Sequence, residues 1–388
     1  MIHPSDHMHG VSVIIPTYKE AGNLPALINR LASALSGSSL RYEVIIVDDD
    51  SQDGTAEMVS ELSEKLPVSI IIRKNVRGLS SAVLTGFKHA VYRYLSVMDA
   101  DLSHPPEDVP RLLEPLLNKA ADFVVGSRHV DGASISEQWG VLRHLNSQVA
   151  TLLAAPLVKI KDPMSGFFAL DRSLLQRAEY LNPVGYKIGL ELMVKTRPKR
   201  IAEIPIHFAL RNEGTSKLDF KQQLLYLQHL KRLYEYKWFM QVQFLFFCLV
   251  GATGIIIDTL TMYILFALFG WPFSLARLPS FILAASGNFQ LNRMITFSDS
   301  TKRNWFHQYC GFLVVSAIGF IGNWLVSVHL FKTYAFCQTF YVLPVVAGGI
   351  SGAFVNFTLS KIAVFDSAAI SGLTPGVKPV VFDEHHEG

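Results

Sequence analysis

Four long apolar stretches follow residue 240, and they constrain the fold of this chain more than any other feature. They run from Val242 to Phe269, Phe273 to Leu291, Phe306 to Phe331 and Tyr341 to Ile362. Each is long enough to cross a hydrocarbon core of about 30 Å, which takes roughly 20 helical residues. Burying all four as core helices of a soluble domain, the alternative, needs an unusually large core. We therefore predict a four-helix transmembrane domain over residues 241–365.

Basic residues are distributed unevenly around these stretches. Most of the nearby positive charge precedes the first stretch or lies between the second and third: Lys231, Arg232, Lys237, Arg293, Lys302 and Arg303. The other two connections offer little beyond Arg277 and Lys332. The positive-inside rule then predicts a multi-pass protein of the cell membrane with its N-terminal domain in the cytoplasm.

The apolar half also reads as two copies of a helical hairpin. The matching positions are Asn288–Arg293 with Asn356–Lys361, Phe297 with Phe365, Gly254 with Gly319, and Asp258 with Asn323. Chance similarity between two short polar helix ends is the alternative. The carboxylate of Asp258 within an apolar stretch predicts either a functional site or a helix-packing contact.

The preceding 240 residues are long enough for a domain with its own core and show an alternating pattern. Short, nearly continuous apolar runs predict strands at Val11–Pro16, Tyr42–Val47, Val68–Ile72, Tyr94–Met98 and Phe123–Gly126. Segments of helical length and periodicity lie between them, at Leu24–Leu35, Thr55–Leu66, Leu79–Tyr92 and Pro106–Asn118. Strands buried on both faces and alternating with helices predict an α/β domain with a mostly parallel sheet.

Composition narrows the remaining possibilities. The chain is 50% hydrophobic and only 17% charged, with a formal net charge of +3, so it lacks the general basic footprint of a nucleic-acid-binding protein. Its three cysteines show neither close pairing nor metal-ligand spacing, which argues against a disulfide framework and a zinc site. Residues 1–10 and 366–388 are predicted to be disordered tails, and the first ten lack the apolar core of a signal peptide.

Residues 217–240 connect the two regions. Leu224, Leu227, Leu230 and Leu233 recur there at helical spacing, with Trp238 near the end. This pattern predicts an amphipathic helix lying at the cytoplasmic lipid interface. A helix packed on the N-terminal domain is the alternative.

The triplet Asp99-Ala100-Asp101 directly follows a predicted buried strand. It therefore lies at the carboxyl edge of a parallel sheet, where ligands of open α/β sheets bind. Alternation along the chain places both carboxylates on one side. Paired carboxylates suit Mg²⁺ or Mn²⁺, especially an ion shared with a diphosphate.

Two further turns face the same edge. Pro16-Thr17-Tyr18-Lys19-Glu20 follows the first strand, and Asp48-Asp49-Asp50-Ser51 follows the second. The sequence has no G-x-G-x-x-G after the first strand and no P-loop motif, so it supports neither a dinucleotide dehydrogenase nor a P-loop NTPase. Carboxylates at these turns accept hydrogen bonds from ribose or base groups, although a helix cap or Asx turn is an equal alternative for each aspartate of the 48–53 cluster.

Taken in order, these motifs resemble the family 2 glycosyltransferases of GT-A fold, and most of all the dolichol-phosphate mannose synthases and related polyprenyl-phosphate hexose synthases. The motifs are P-T-Y-K-E, I-I-V-D-D-D-S-x-D-G-T, R-G-L-x-x-A, D-A-D-L-S-H-P-P-E, V-G-S-R, D-P-M-S-G-F-F-A and R-x-x-G-x-S-K-L, spread over residues 11–218. The apolar half separately resembles the GtrA-like membrane domain. We therefore expect a GT-A glycosyltransferase domain over residues 11–216.

The resemblance implies transfer of one hexose, with mannose from GDP-mannose favoured, to a polyprenyl or dolichyl monophosphate. It implies donor binding by Pro16, Tyr18, Glu20, Asp49, Arg77 and Asp99. It implies an acceptor-phosphate cradle of Arg128, Arg143, Ser147, Arg211 and Lys217, of which the first three act with Asp101 as the catalytic set. Asp99 and Asp101 would hold Mg²⁺ or Mn²⁺. Ser103 stands where relatives often carry glutamine as a third metal ligand, and the resemblance implies a weaker or water-mediated contact from its hydroxyl to the ion.

Two rival functions remain at this stage. The shared motifs do not determine the nucleotide base, so a UDP-sugar donor is the first rival. The second is a membrane module that anchors or flips a lipid-linked sugar, with an ancillary soluble domain. The intact D-A-D, V-G-S-R and S-K-L motifs argue against an inactive catalytic domain.

Overall fold

A computed structural model describes residues 9–38, 40–135, 141–178, 181, 187–209, 220–297, 304–340 and 342–365. Its contacts divide the chain into two compact units, one extending to Leu233 and the other beginning at Tyr234. The N-terminal unit contains the sheet, and the C-terminal unit is helical. The boundary lies a few residues before the predicted start of the membrane domain.

A seven-stranded sheet forms the centre of the N-terminal unit, in the order β3-β2-β1-β4-β7-β5-β8. Its strands are β1 (Gly10–Thr17), β2 (Arg41–Asp48), β3 (Val68–Ile72), β4 (Tyr94–Val97), β5 (Phe123–Ser127), β7 (Phe168–Asp171) and β8 (Ile201–Pro205). A separate parallel pair joins β6 (Ser134–Ile135) to β9 (His207–Phe208). The five predicted strands are all present.

One strand breaks the parallel pattern. β7 lies between β4 and β5 and is antiparallel to both, whereas every other neighbouring pair in the sheet is parallel. β7 was not among the five strands predicted from the sequence. The prediction of a mostly parallel sheet is confirmed.

Helices lie between these strands, and the first four of them are at the predicted places. They are α1 (Leu24–Ser36), α2 (Thr55–Ser63), α3 (Leu79–His89), α4 (Val109–Leu117), α5 (Val141–Ala154) and α6 (Ile188–Thr196). The apolar face of α1 shows why they form: Leu24, Leu27, Ile28 and Leu31 recur at helical spacing and are fully buried. Their burial against the sheet stabilises the helix more than its intrinsic propensity does.

Helix α7 (Phe220–Tyr263) begins in the N-terminal unit and continues into the C-terminal one, with a non-helical residue at Trp238. Its first part presents His229, Leu230 and Leu233 as a buried face. The Tyr226 hydroxyl donates to the Ala150 carbonyl of α5 at 2.7 Å. The alternative of a helix packed on the N-terminal domain is therefore realised on this face. Contact with the lipid interface stays a prediction for the opposite face of this helix, where Leu224 and Leu227 are exposed.

The C-terminal unit continues with α8 (Phe273–Leu291), α9 (Trp305–Thr333), α10 (Ala335–Thr339) and α11 (Val342–Leu359). Within the described residues, three helical segments are long and apolar enough to cross a membrane: Gln222–Leu268, Trp305–Thr333 and Val346–Phe365. The other predicted stretch folds as α8, a 19-residue helix with Pro279 inside it. Its helical state is confirmed, but it is not among these three segments.

Corresponding positions of the two predicted hairpins make the same contacts. The Gln243 side-chain amide donates to the Thr296 carbonyl, and the Gln308 amide donates to the Val364 carbonyl. A Cβ on Gly254 would meet the Asn288 side chain, as one on Gly319 would meet Asn356. Phe297 and Phe365, the last aromatic residue of each hairpin, stack at 4.5 Å. These matched contacts support an internal duplication.

Candidate active site

The carboxyl ends of β1, β2 and β4 meet at one edge of the sheet. β1 pairs in parallel with β2 and with β4. The Asp49 amide donates to the Thr17 carbonyl at 3.1 Å, which joins the turns after β1 and β2. The predicted donor turns and the D-A-D triplet therefore lie at the same edge.

The D-A-D turn follows β4 and is held by short local hydrogen bonds. Asp101 is 6% exposed, and its Oδ1 accepts from the Ser103 amide at 3.1 Å and from the Ser103 hydroxyl at 2.5 Å. Ser103 itself is buried. This geometry gives Ser103 a role in orienting the Asp101 carboxylate, and its place as a third metal ligand stays a prediction.

The Asp99 carboxylate is more open, with 28% of its side chain exposed. A Cβ on Gly166 would lie 3.5 Å from both of its carboxylate oxygens. The missing side chain at Gly166 therefore leaves space beside this carboxylate. Among the described residues no group of three or more His, Cys, Asp and Glu side chains forms a metal cluster, so the carboxylate pair is the donor set to consider.

His104 supports the D-A-D turn from within the core. Its ring is 3% exposed, stacks on Phe167 at 5.2 Å, and accepts the Asp99 amide on Nδ1 at 3.1 Å. Burial lowers the pKa of His104 below its ordinary value. The neutral ring that results carries its proton on Nε2, which leaves Nδ1 free to accept.

Two aspartates of the 48–53 cluster have structural partners. Asp48 accepts from the Ser51 amide and hydroxyl at 2.8 and 2.5 Å, and Ser51 in turn accepts the Lys19 amide at 2.8 Å. Asp53 accepts from the Thr55 amide and hydroxyl at the start of α2. Asp53 thus makes the Asx turn, whereas the helix-cap alternative is not realised at α2, whose N-cap is Gly54 and has no side-chain cap hydrogen bond.

Asp49, the predicted donor ligand, is 6% exposed and forms a buried ion pair with Arg73. One oxygen accepts from Nε of Arg73 at 2.8 Å and also from Nη2, and the other accepts the Gly78 amide at 2.8 Å. Asp49 therefore shapes the loop that precedes α3. Direct donor binding by its carboxylate stays a prediction.

The other predicted donor residues surround the turn after β1. Pro16 is half-buried near the end of β1. The guanidinium of Arg77 lies 4.6 Å from the ring centroid of Tyr18, a cation–π distance. Glu20 accepts from the Asn23 side chain at 2.7 Å at the start of α1. The structure thus brings Tyr18 and Arg77 together and gives Glu20 a local partner.

Arg128 follows β5 and is paired with Asp162. Its Nε and Nη2 donate to the two carboxylate oxygens at 2.8 Å each, and its amide donates to the carboxylate at 3.0 Å. Burial alone would raise the pKa of Asp162, but the hydrogen bonds from Arg128 outweigh it and hold that pKa below its ordinary value. Asp162, the first residue of the D-P-M-S-G-F-F-A motif, therefore fixes the Arg128 side chain.

The remaining acceptor residues are only partly described. Ser147 is half-buried on α5. Arg143 belongs to the same helix, but its side chain lies outside the described part of the chain, as do Arg211 and Lys217 altogether. Their place in the cradle stays a prediction.

Asp258 lies in the C-terminal unit and makes a helix-packing contact. Its Oδ1 accepts from the Ser280 hydroxyl of α8 at 2.7 Å. A cavity of about 250 Å³ beside it is also lined by Asn288 and Asn292. The helix-packing role predicted for Asp258 is thus realised in this contact.

Three residues that contact the predicted site residues were not identified from the sequence. Arg73 binds Asp49, and His104 accepts the Asp99 amide. The ring of Phe208 lies 5.2 Å from the guanidinium carbon of Arg128 and 5.5 Å from the His104 ring. His104 and Arg73 each stand close to a named motif, but only the fold shows which carboxylate or amide they contact. Phe208 carried no signal, because a single phenylalanine in an apolar run is most often core.

Comparison with known proteins agrees with this geometry. Residues 12–178 match the family "Glycosyl transferase family 2", and residues 246–365 match "GtrA/DPMS, transmembrane domain". A dolichol-phosphate mannosyltransferase of Pyrococcus furiosus is 41% identical over 81% of this chain and 89% of its own length. This chain belongs to the family 2 glycosyltransferases.

Two further relatives of this family 2 glycosyltransferase are similar to it over a smaller share of the chain. The dolichol-phosphate mannosyltransferase of Saccharomyces cerevisiae is 45% identical over 58% of this chain and 87% of its own length. A glucosyl-3-phosphoglycerate synthase from Mycobacterium tuberculosis, solved with Mn²⁺ and UDP, has a TM-score of 0.45 at 19% identity, covering 58% of this chain and 79% of that one. The family 2 assignment confirms the predicted glycosyltransferase class and the GtrA-like membrane domain.

Proposed function

We propose that this glycosyltransferase transfers one mannose from GDP-mannose to dolichyl or polyprenyl phosphate at the cytoplasmic face of the membrane. The observation that carries the proposal is the similarity to the Pyrococcus furiosus dolichol-phosphate mannosyltransferase, which extends over 81% of this chain and therefore reaches into its membrane unit. The D-A-D turn at the carboxyl edge of the sheet supplies a site for a nucleotide diphosphate.

The acceptor explains why the site needs no activated side-chain nucleophile. A phosphate monoester has a second pKa of about 6, so its oxygen is anionic at neutral pH without a general base. This oxygen attacks the anomeric carbon of the hexose while the bond to the nucleoside diphosphate breaks. The protein must align two anionic reactants and stabilise the departing diphosphate.

Asp99 and Asp101 are the residues that would hold a divalent cation. Their carboxylate oxygens suit Mg²⁺ or Mn²⁺, and the Asp99 side chain is 28% exposed, so that an ion can reach it. When bound, the cation neutralises charge on the leaving diphosphate. Ser103 keeps Asp101 oriented, and His104 keeps the Asp99 backbone in place.

Arg128 would bind the acceptor phosphate, together with Arg143, Ser147, Arg211 and Lys217. Its pairing with Asp162 fixes the planar guanidinium, so that little rotamer freedom remains to be lost when a phosphate binds. The membrane helices would anchor the enzyme and present the lipid-linked acceptor.

A donor panel tests this function. Membranes containing the full chain are incubated with radiolabelled GDP-mannose, UDP-glucose or UDP-GlcNAc, together with dolichyl phosphate or undecaprenyl (C55) phosphate. We expect label in the organic phase from GDP-mannose, attached as a single hexose. Membranes carrying Asp101→Ala serve as the control. Label from a UDP-sugar alone would overturn the donor assignment, and no label from any donor would overturn the proposed activity.

A further inference from the structure

Phe208 lies between the D-A-D turn and the Arg128 loop, and its ring contacts both. It is 8% exposed, and its ring meets that of His104 edge-on at 5.5 Å and 65°. The guanidinium carbon of Arg128 lies 5.2 Å from the centroid of the same ring. One aromatic side chain therefore joins the residue that holds Asp99 to the residue proposed to bind the acceptor phosphate.

The backbone around Phe208 strengthens this connection. The Ala209 amide donates to the Ser103 carbonyl at 3.1 Å, and the Ile206 amide donates to the Ser127 carbonyl at 3.2 Å. The short segment from Ile206 to Ala209 is thus bonded at one end to the residue before Arg128 and at the other to the turn that orients Asp101. This segment therefore couples the two loops, alongside Phe167, which accepts the Gly126 amide and stacks on His104.

The other sides of the connection are rigid. His104 is held by its stack on Phe167 and by the Asp99 amide. Arg128 is held by Asp162, whose own amide donates to Glu203 at 2.9 Å. Each neighbour of the Phe208 ring is therefore held in one conformation, and the buried ring fills the space between them.

We propose that Phe208 is a positioning residue that sets the distance between the D-A-D turn and Arg128, and hence the alignment of the acceptor phosphate with the donor. This inference rests on the proposed function, because it assigns Arg128 to the acceptor. Misplacing reactants by about 1 Å costs roughly a hundredfold in rate, so a spacer of this kind acts on turnover rather than on donor affinity.

The test compares Phe208→Leu with Phe123→Leu in the full chain. Phe123 is also a buried phenylalanine of the sheet unit, stacked on Phe168 at 5.3 Å and outside the connection. Leucine keeps an apolar side chain at each place and removes the ring. Melting temperature, Mn²⁺ and donor affinity, kcat and acceptor KM are measured for each variant, and Phe208→Tyr is included because it restores the ring.

We expect Phe208→Leu to lower kcat by roughly ten- to a hundredfold, to keep Mn²⁺ and donor affinity within about twofold, and to be rescued by Phe208→Tyr. Phe123→Leu should lower the melting temperature without changing kcat of the folded protein. Unchanged kcat in Phe208→Leu, or parallel losses in Mn²⁺ affinity, donor affinity and kcat, would overturn the proposal. The assay uses the donor that the unmodified chain accepts, so a donor other than GDP-mannose would overturn the proposed function alone.

Discussion

The guanidinium of Arg128 donates two parallel hydrogen bonds of 2.8 Å to the Asp162 carboxylate, and the Asp162 side chain is fully buried. The pair therefore belongs to the fold as much as to the active site. Removing one partner leaves the other charge buried and uncompensated, which typically costs about 3–5 kcal/mol.

Stability at low pH should depend on this pair. The pKa of Asp162 in the folded protein is held below its unfolded value of about 3.9, so the stabilisation is present above that pH and is lost as the pH falls through the folded pKa. Asp162→Asn should lower the melting temperature at pH 7, and the difference from the unmodified chain should narrow below pH 4. Thermal unfolding in detergent between pH 3 and 7 measures this difference.

The control is Asp108→Asn. Asp108 pairs with Arg111, whose side chain is 53% exposed, and such a pair contributes at most about 1 kcal/mol. A constant difference between Asp162→Asn and the unmodified chain across the whole pH range would contradict the assignment of this titration to Asp162.

The metal site gives a second prediction. Asp101→Ala should abolish transfer with Mn²⁺ or Mg²⁺ and should weaken Mn²⁺ binding, while the domain stays folded because the residue lies in the turn after β4, outside the strands and helices. Electron paramagnetic resonance of bound Mn²⁺ and the transfer assay are the measurements. Glu61→Ala, an exposed carboxylate of α2, is the control. Full activity in EDTA would be incompatible with metal binding by Asp99 and Asp101.

Asp49 and Arg143 should serve different substrates, Asp49 the donor and Arg143 the acceptor. Arg143→Ala should reduce catalytic efficiency towards the acceptor about ten- to a hundredfold, because a lost charge-assisted hydrogen bond costs roughly 1.5–3 kcal/mol. The affinity for the donor should not change. Asp49→Ala should weaken the affinity for the donor. It should also lower the stability of the fold, because Arg73 loses its buried partner. Calorimetry measures donor affinity in both variants, and initial rates measured against acceptor concentration give acceptor efficiency. Equal loss of donor affinity in the two variants would refute the assignment of Arg143 to the acceptor.

Close packing in the membrane unit can be tested on one helix. A Cβ on Gly352 of α11 would lie 2.7 Å from the Gly319 carbonyl oxygen and 2.8 Å from the Asn323 Cβ, whereas one on Gly349 meets nothing within 4 Å. Gly352→Ala should destabilise the unit by about 1–3 kcal/mol, and Gly349→Ala should leave it unchanged or slightly stabilised. Thermal unfolding in detergent measures both, and equal melting temperatures would argue against this helix contact.

The membrane unit itself is expected to anchor the enzyme. A variant truncated after Phe239, just beyond the non-helical residue Trp238, should keep donor and Mn²⁺ binding but use a long-chain acceptor poorly. Rates with long-chain and short-chain polyprenyl phosphates in bilayers are the measurement. Turnover of the long-chain acceptor as fast as by the full chain would exclude an anchoring role.

Local patterns in the sequence were sufficient to predict most of the strands and helices of the N-terminal unit and the position of part of the candidate site. Strand β3 and the start of α1 lie where apolar runs and helical spacing predicted them, because these signals depend only on neighbouring residues. The two hairpin copies were visible for the same reason. The D-A-D motif could be placed at the sheet edge because it directly follows a buried strand.

The tertiary structure alone decided which side chains meet. Arg128 was predicted to face a phosphate, yet its partner in the fold is Asp162, and Asp49 is paired with Arg73. Burying a charge requires a partner, and the partner is whichever opposite charge the crossovers and the antiparallel insertion of β7 bring close. Phe208 shows the same limit. The sequence gives its residue type, but its contacts with Arg128 and His104 form only when β9 packs beside the D-A-D turn.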